Sequence, residues 1–161
     1  MGLDISDEEL IQIIQAFNSN EVAFMLVGGF AVNFYGYSRT TADFDLWIQP
    51  DNVNKTRVLS AMIVMGYTED ELLELSLNDF SQPVTFQIGG NNFYIDIMTR
   101  ITGVSFEEAY PASVELKVGS TDYMRVIHRN HLIVNKLLTG RLKDKLDVES
   151  LEEIRRRENN S

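Results

Sequence analysis

The sequence predicts an α+β protein in which helices pack on a mixed, twisted β-sheet. Three patterns support this prediction. Short apolar runs alternate with segments of helical periodicity in the first part of the chain, and a hairpin pattern follows in PVTFQIGGNNFYIDIMT. Two further helical segments occupy the C-terminal part, from HLIVNKLLTG to KDKLDVESLEEIRRR. Because strands alternate with helices at the start and form a hairpin in the middle, the sheet is expected to contain both parallel and antiparallel pairs.

The first half of the chain is predicted to contain three helices and two strands. In SDEELIQIIQAF, Ser6 and Glu9 form a capping-box pattern at the start of a helix. Residues 22–27, VAFMLV, are typical of a buried strand, and FAVNFYGY indicates a brief helix. DFDLWIQ alternates with a period of two and is a strand, after which Asp51 is expected to cap a third helix.

The second half begins with an acidic helical segment over residues 69–77. In the hairpin that follows, Gly89-Gly90-Asn91-Asn92 joins two strand-like runs. SFEEAY is expected to form one helical turn, and ASVELKVG and TDYMRVI to form short strands. The two last helices are expected to separate near Gly140 and Arg141.

Length and composition restrict the classes of protein that fit. The 161 residues suit one domain, residues 1–161, with residues 128–157 as its C-terminal helices. No cysteine is present, which excludes disulfides, thiolate zinc sites and cysteine nucleophiles. The start, MGLDISDEEL, lacks the pattern of a signal peptide, and no apolar run reaches the roughly 18 residues of a membrane span. We expect a cytoplasmic protein without a membrane partner.

Charge is distributed unevenly along the chain. The net charge of −10 disfavours non-specific binding of the whole molecule to a nucleic-acid backbone. Nine of the 14 basic residues nevertheless lie from Arg125 onward. This asymmetry indicates either an anionic ligand near the C-terminal helices or solvated helix faces balanced by neighbouring acids.

Three carboxylates are candidates for one metal site. Asp43 and Asp45 lie one residue apart on a predicted strand and therefore share a face. Asp96 lies in the apolar strand FYIDIM, on a face with Tyr94 and Met98. With oxygen ligands plentiful and two histidines in the chain, a hard ion such as Mg²⁺ or Mn²⁺ is expected, and a pair of ions would suit three carboxylates.

Gly28 and Gly29 add a candidate phosphate site. Paired glycines at a strand-to-helix junction let backbone N–H groups approach a phosphate, although a paired glycine alone is more often a tight turn. Together with the carboxylates, the glycines predict a site for a metal-bound nucleoside triphosphate.

The stretch GGFAVNFYGYSRTTADFDLW resembles the signature of the nucleotidyltransferase superfamily that includes polymerase beta. With Arg39 and Thr41 before Asp43, it is similar to minimal bacterial nucleotidyltransferases and to the toxin subunit of abortive-infection systems. The later NKLLTGRLKDKLD matches the family's lysine, basic residue and Asp-x-x-Asp pattern. The resemblance extends over residues 22–150.

The resemblance implies the nucleotidyltransferase fold and a reaction in which an acceptor hydroxyl takes a nucleoside monophosphate from an NTP and pyrophosphate is released. The implied catalytic residues and metal ligands are Asp43, Asp45 and Asp96. The implied nucleotide-binding residues are Gly28, Gly29, Arg39, Lys136, Arg141 and Lys143.

The resemblance leaves the late acids and the acceptor open. Asp144 and Asp147 are either a motif acid pair or ion-pair partners of Lys143 and Arg141. The implied acceptors are an RNA end such as that of tRNA, a partner protein or a small molecule, and the implied setting includes toxin–antitoxin and phage-defence systems.

Other interpretations of the residues compete with this one. Tyr35, Tyr37 and Trp47 are candidates to stack a base, although aromatic residues at such spacing are more often part of the core. His128 and His131 show no partner pattern and are expected to be structural.

The main alternative function is a catalytically silent nucleotide- or partner-binding protein of the same fold. Haloacid-dehalogenase phosphatases also use Asp-x-Asp, but they require an apolar strand immediately before it, where this chain has SRTTA. An aspartic-protease dyad would need an Asp-Thr/Ser-Gly pattern, which the chain lacks.

Overall fold

The computed structural model describes residues 7–38, 40–41, 44–89 and 93–161. The described helices, numbered in chain order, are α1 Glu8–Ser19, α2 Gly28–Phe34, α3 Asn52–Val64, α4 Glu69–Ser76, α5 Phe106–Ala112, α6 Arg129–Thr139 and α7 Leu142–Asn159. The described strands are β1 Phe24–Val27, β2 Phe44–Ile48, β3 Thr85–Gly89, β4 Tyr94–Met98, β5 Val114–Val118 and β6 Asp122–Val126.

The six described strands form one mixed sheet in the order β3-β4-β2-β1-β6-β5. Three neighbouring pairs are antiparallel, namely β1/β2, β3/β4 and β5/β6. The two pairs β2/β4 and β1/β6 are parallel. The prediction of a mixed sheet with helices packed on it is therefore confirmed.

The central strands β1 and β2 contribute mostly buried side chains to the core. All four residues of β1 are buried, and in β2 only Asp45 is partly exposed. In β4 the alternation places Ile95 and Ile97 in the core and leaves Asp96 partly exposed. A partly exposed aspartate therefore lies at the same level on each of two neighbouring strands.

Helix starts follow the capping rules, with one correction to the predicted positions. The first helix is capped by Asp7, whose carboxylate accepts from the backbone N–H of Leu10. The predicted cap, Ser6, lies outside the described residues. Asp51 caps α3 as predicted, and Thr68 with Glu71 forms a capping box on α4.

The last two helices pack on each other and meet at a sharp turn. Gly140 lies between α6 and α7 with a positive φ of 67°, a backbone conformation that glycine adopts without strain. The predicted break at this point is confirmed, and it returns the start of α7 toward α6. Within the described ranges, no helix is long and apolar enough to cross a membrane.

Candidate active site

At the junction of β1 and α2, the backbone of Gly28 lies in close contact with the carboxylate of Asp45. Gly28 has a φ of +72°, and a Cβ built on it would lie 2.1 Å from Oδ2 of Asp45. The register explains the approach, because Val27 at the end of β1 pairs with Asp45 on β2. Gly28 is therefore required here both for its backbone conformation and for the space that Asp45 occupies.

Two carboxylates face each other across neighbouring strands. Asp45 on β2 is in register with Asp96 on the parallel strand β4. Adjacent strands lie about 4.8 Å apart and residues in register project from the same face, so the two side chains are neighbours. Asp96 is held further by Gln87 on β3, whose Nε2 donates to its Oδ1 at 2.7 Å. The sheet thus joins two acids that are distant in sequence.

A cavity of about 510 Å³ opens beside Gly28 and Asp45. Its far wall is formed by the end of α6, the turn and the start of α7, including Lys136, Arg141 and Lys143. The volume falls in the range of about 300–1,000 Å³ that is typical of small-molecule sites. Of the predicted nucleotide-binding residues that the structure describes, all line this cavity, namely Gly28, Gly29, Lys136, Arg141 and Lys143.

A buried ion cluster supports the far wall. The ammonium of Lys136 lies 3.3 Å from Asp144 and 3.1 Å from Asp147, and all three side chains are at most 5% exposed. Asp144 also accepts from Nε of Arg141 at 2.8 Å and from Oγ1 of Thr139 at 2.9 Å. Two cations and two carboxylates are thus combined without net charge, as burial requires.

The cluster identifies ion-pair partners of Asp144 and Asp147. Asp144 pairs with Arg141, as one of the two interpretations holds, and both acids contact Lys136. The role of the two residues as a motif acid pair stays a prediction. Because the carboxylates of Asp144 and Asp147 are buried and hold Lys136, they support the wall of the cavity.

Charge effects connect the cluster to the carboxylate strand. Burial raises the pKa of Asp144, but hydrogen bonds from Arg141 and Thr139 and the charge of Lys136 outweigh burial and hold that pKa well below its usual range. The pKa of Arg141 is raised, chiefly by its hydrogen bond to Asp144 and also by the charge of Asp45. Arg141 has a side chain that is 60% exposed, so its cation remains available to a ligand.

The cavity also contains residues that the sequence interpretation missed. Arg100 lies two residues after the end of β4, is exposed and lines the cavity. Thr102 and Asn135 line the same wall, where the Asn135 amide donates to the carbonyl of Thr102 at 3.0 Å. The signal in the sequence that could have identified this cation is its position shortly after the strand that carries Asp96.

Two of the three aromatic residues considered as candidates to stack a base, Trp47 and Tyr35, are buried in the core. Trp47 is 1% exposed and donates from Nε1 to the carbonyl of Thr99. Tyr35 is 6% exposed, and its hydroxyl donates to the carbonyl of Ile127 at 2.7 Å. Both residues belong to the core, as the alternative reading holds. His128 caps α6, where its Nδ1 accepts from the N–H of Asn130, in keeping with a structural role.

Asp43 and Arg39, which the sequence places in this site, lie outside the described residues. Within the described part of the chain, no group of three or more acidic, histidine or cysteine side chains is gathered for a metal. Asp45 and Asp96 still offer the oxygen donors that hard divalent ions prefer, on one face and beside a glycine that leaves room for Asp45. The residues present therefore fit a hard ion.

Comparison with known proteins identifies the fold and the family. The family model described as "Nucleotidyl transferase of unknown function (DUF2204)" matches residues 6–160. The structure is similar to the crystal structure of a lincosamide antibiotic adenylyltransferase, LnuA, with lincomycin bound; the TM-score is 0.54, with 17% identity over 94% of this chain and 99% of that one. No curated protein sequence matches the chain.

These findings confirm two predictions from the sequence. At 17% identity the likeness to the adenylyltransferase shows the fold alone, and that fold is the one the resemblance implied. The family match extends over almost the whole chain and includes both the glycine-to-aspartate stretch and the late lysine helix. The chain therefore belongs to the nucleotidyl transferase family DUF2204.

Proposed function

We propose that the protein transfers a nucleoside monophosphate from an NTP to an acceptor hydroxyl, with Mg²⁺ or Mn²⁺ as cofactor and pyrophosphate as the second product. One observation carries the proposal: Asp45 and Asp96 are in register on one sheet face, next to a glycine turn and opposite a wall of cations. Two neighbouring carboxylates beside a phosphate site are the ligands that metal-assisted phosphoryl transfer uses. The paired acids therefore favour an enzyme.

Both walls of the cavity carry groups that can bind the phosphates of an NTP. Gly28 and Gly29 begin α2, where backbone N–H groups without intrahelical partners can donate to phosphate oxygens. Across the cavity, Arg141 and Lys143 supply positive charge. We place the phosphates between these walls, with Arg39 as a further ligand on the grounds of its sequence position.

Lys136 acts on the nucleotide less directly than the sequence alone implied. Its ammonium is held between Asp144 and Asp147 and is almost fully buried. In this proposal Lys136 holds Asp144 in place, and Asp144 fixes the guanidinium of Arg141.

Asp43, Asp45 and Asp96 are the proposed metal ligands. Two ions held there would neutralise charge on the phosphates and on the leaving pyrophosphate. Asp96 accepts from Gln87 through Oδ1, which leaves Oδ2 as the oxygen that we assign to the acceptor hydroxyl proton. The acceptor oxygen then forms a bond to the α-phosphorus, and the bond from that phosphorus to the pyrophosphate oxygen breaks.

The acceptor classes implied by the resemblance are an RNA end, a partner protein and a small molecule, and a toxin–antitoxin or phage-defence setting belongs to this proposal as well. The nucleotide to test first is ATP, because the structurally similar LnuA is an adenylyltransferase. Each α-phosphate-labelled NTP should be incubated with Mg²⁺ and, in separate reactions, with tRNA, protein and small-molecule fractions of a cell extract.

The matched variants are Asp45→Asn and Asp96→Asn, with Asp70→Asn as the control because Asp70 is exposed on α4, away from the cavity. We expect each site variant to lose transfer by at least about 100-fold and the control to keep it. Full Mg²⁺-dependent turnover by either site variant would show that the assignment is wrong. Nucleotide binding without any transfer by the wild-type protein would identify a silent binding protein instead.

A further inference from the structure

The end of the helix pair where α6 turns into α7 exposes an apolar surface. Val134, Leu137 and Leu138 are exposed on the last turns of α6, at the i, i+3 and i+4 spacing that places side chains on one face. Leu142 and Leu146 are exposed on the first turns of α7, again four residues apart. The turn between the helices brings these segments to one end of the pair, and we call the five residues the tip face.

The exposed charges of the tip face are all positive. Arg141, Lys143 and Lys145 are exposed in this segment, whereas its acids, Asp144 and Asp147, are buried in the ion cluster. Among the described residues, no carboxylate pairs with Lys143 or Lys145. Apolar side chains among unpaired cations form a surface that suits a partner with apolar and acidic side chains.

The same chain carries a surface of this complementary kind on α4. Leu73 is exposed on α4, and Leu77 is exposed one turn later at the C-cap of the helix. The charged residues of α4 are all acids and all exposed, namely Glu69, Asp70, Glu71 and Glu74. We call this surface the α4 face. Because both faces are exposed in the folded chain, they do not cover each other within one molecule.

We propose that the protein self-associates through these two surfaces, with the α4 face of one copy docked on the tip face of another. The leucines of the two faces meet at the centre, and the carboxylates of α4 lie against the cations of the tip face. A second copy is the partner that the chain itself supplies, because every molecule carries both halves of the contact. The contact joins two different surfaces, so it is heterologous, and further copies add unless a ring closes. This inference is independent of the proposed transfer reaction.

An anionic lipid surface is the competing partner, because basic helices with apolar side chains also bind headgroups. A lipid surface would meet the whole acidic molecule, with its net charge of −10, and it offers no counterpart to the spacing of the leucines on α4. Repulsion between the other charges of two copies is screened beyond about 8 Å at physiological salt. The local complementarity therefore favours a second copy.

The first test measures the molar mass of the full chain by sedimentation velocity. The concentrations should run from about 5 to about 500 µM, because contacts between small surfaces are often transient and weak. We expect the mass to rise with protein concentration. It should fall when NaCl is raised from about 0.05 to about 0.5 M, because salt screens the charges of the two faces.

Two variants each remove one face. Leu142→Asp places an acid in the tip face at the first residue of α7, and Leu77→Lys places a cation in the α4 face at the end of α4. The two leucines are 75% and 78% exposed, and each new charge suits its helix end, so the fold is expected to be kept. Each variant alone should stay monomeric. An equimolar mixture should form a dimer, because the α4 face of the first variant and the tip face of the second are both intact.

Val64→Lys is the matched control, because Val64 is exposed at the end of α3 and lines the cleft beside α1. This variant should associate as the wild type does. The inference is overturned by a wild type that stays monomeric at the highest concentration, by single variants that still associate, by a mixture that stays monomeric, or by association that salt does not change. A monomeric wild type that binds vesicles of anionic lipid, with binding lost in Leu142→Asp, would assign the tip face to a membrane instead.

Discussion

Replacement of Gly28 by alanine should lower activity about 100-fold through displacement of the Asp45 carboxylate. The added Cβ would lie 2.1 Å from Oδ2 of Asp45, whereas favourable contacts lie near about 3.5 Å. Asp45 must therefore move by more than about 1 Å. A misplacement of this size in a reacting group costs about 100-fold in rate, so we expect pyrophosphate release with acceptor present to fall by about that factor.

The same substitution carries a separate cost in stability, which a control variant can isolate. Gly28 has a φ of +72°, where alanine is strained by about 1–2 kcal/mol. Gly66 has a φ of +104°, and a Cβ there would meet nothing within 4 Å. Gly66→Ala should therefore lose a similar free energy of unfolding, measured by urea titration, and keep its transfer rate.

The comparison of these two variants can refute the reasoning. Activity within about threefold of wild type in Gly28→Ala would show that Asp45 either tolerates displacement or takes no part in transfer. Equal loss of activity in both variants would assign the effect to backbone strain, and the steric argument would fail.

Two further predictions concern the buried polar groups. Asp144→Asn should lower the free energy of unfolding by about 3–5 kcal/mol, because Lys136 loses a buried partner. This loss would appear as a fall of about 6–20 °C in Tm. A loss below about 1 kcal/mol would contradict the prediction. Because the folded-state pKa of Asp144 is depressed, its contribution is complete above the unfolded pKa of about 3.9 and is lost progressively as pH falls toward the folded pKa. The difference in stability between wild type and variant in urea titrations should therefore begin to narrow as the pH falls below about 4. Tyr35→Phe should lower the free energy of unfolding by about 1–2 kcal/mol in the same titration, because the buried carbonyl of Ile127 loses its donor. The control Tyr94→Phe, at an exposed tyrosine, should change this free energy by no more than about 0.5 kcal/mol. An equal loss in both variants would refute the role of the hydrogen bond.

Local chemistry explains why most of the fold could be predicted. Strand β1 is a short apolar run that ends at glycine, and β2 and β4 carry a period of two around one aspartate each. The predicted cap Asp51 and the αL turn at Gly140 are decided by a few neighbouring residues. The position of the first cap differed by one residue because Ser6 and Asp7 are both good capping residues and sequence alone does not rank them here.

The site was harder to predict because its walls come from distant parts of the chain. The alternation in β2 and β4 indicated that Asp45 and Asp96 leave the core, but only strand pairing decides that they stand in register. Trp47 shares the strand face of Asp45 and yet is buried, because α5 places Phe106 over it. Periodicity assigns a face to a residue and does not say what covers that face.

The sequence by itself determined the α+β class, the glycine turn after β1 and the carboxylates on strands, since these depend on residues close together in the chain. The tertiary structure decided the partners of Lys136, because three side chains can share one buried charge only after α6 and α7 have packed. It also decided that Arg100 lines the nucleotide cavity. Both results depend on long-range contacts, which local patterns of charge and apolarity do not encode.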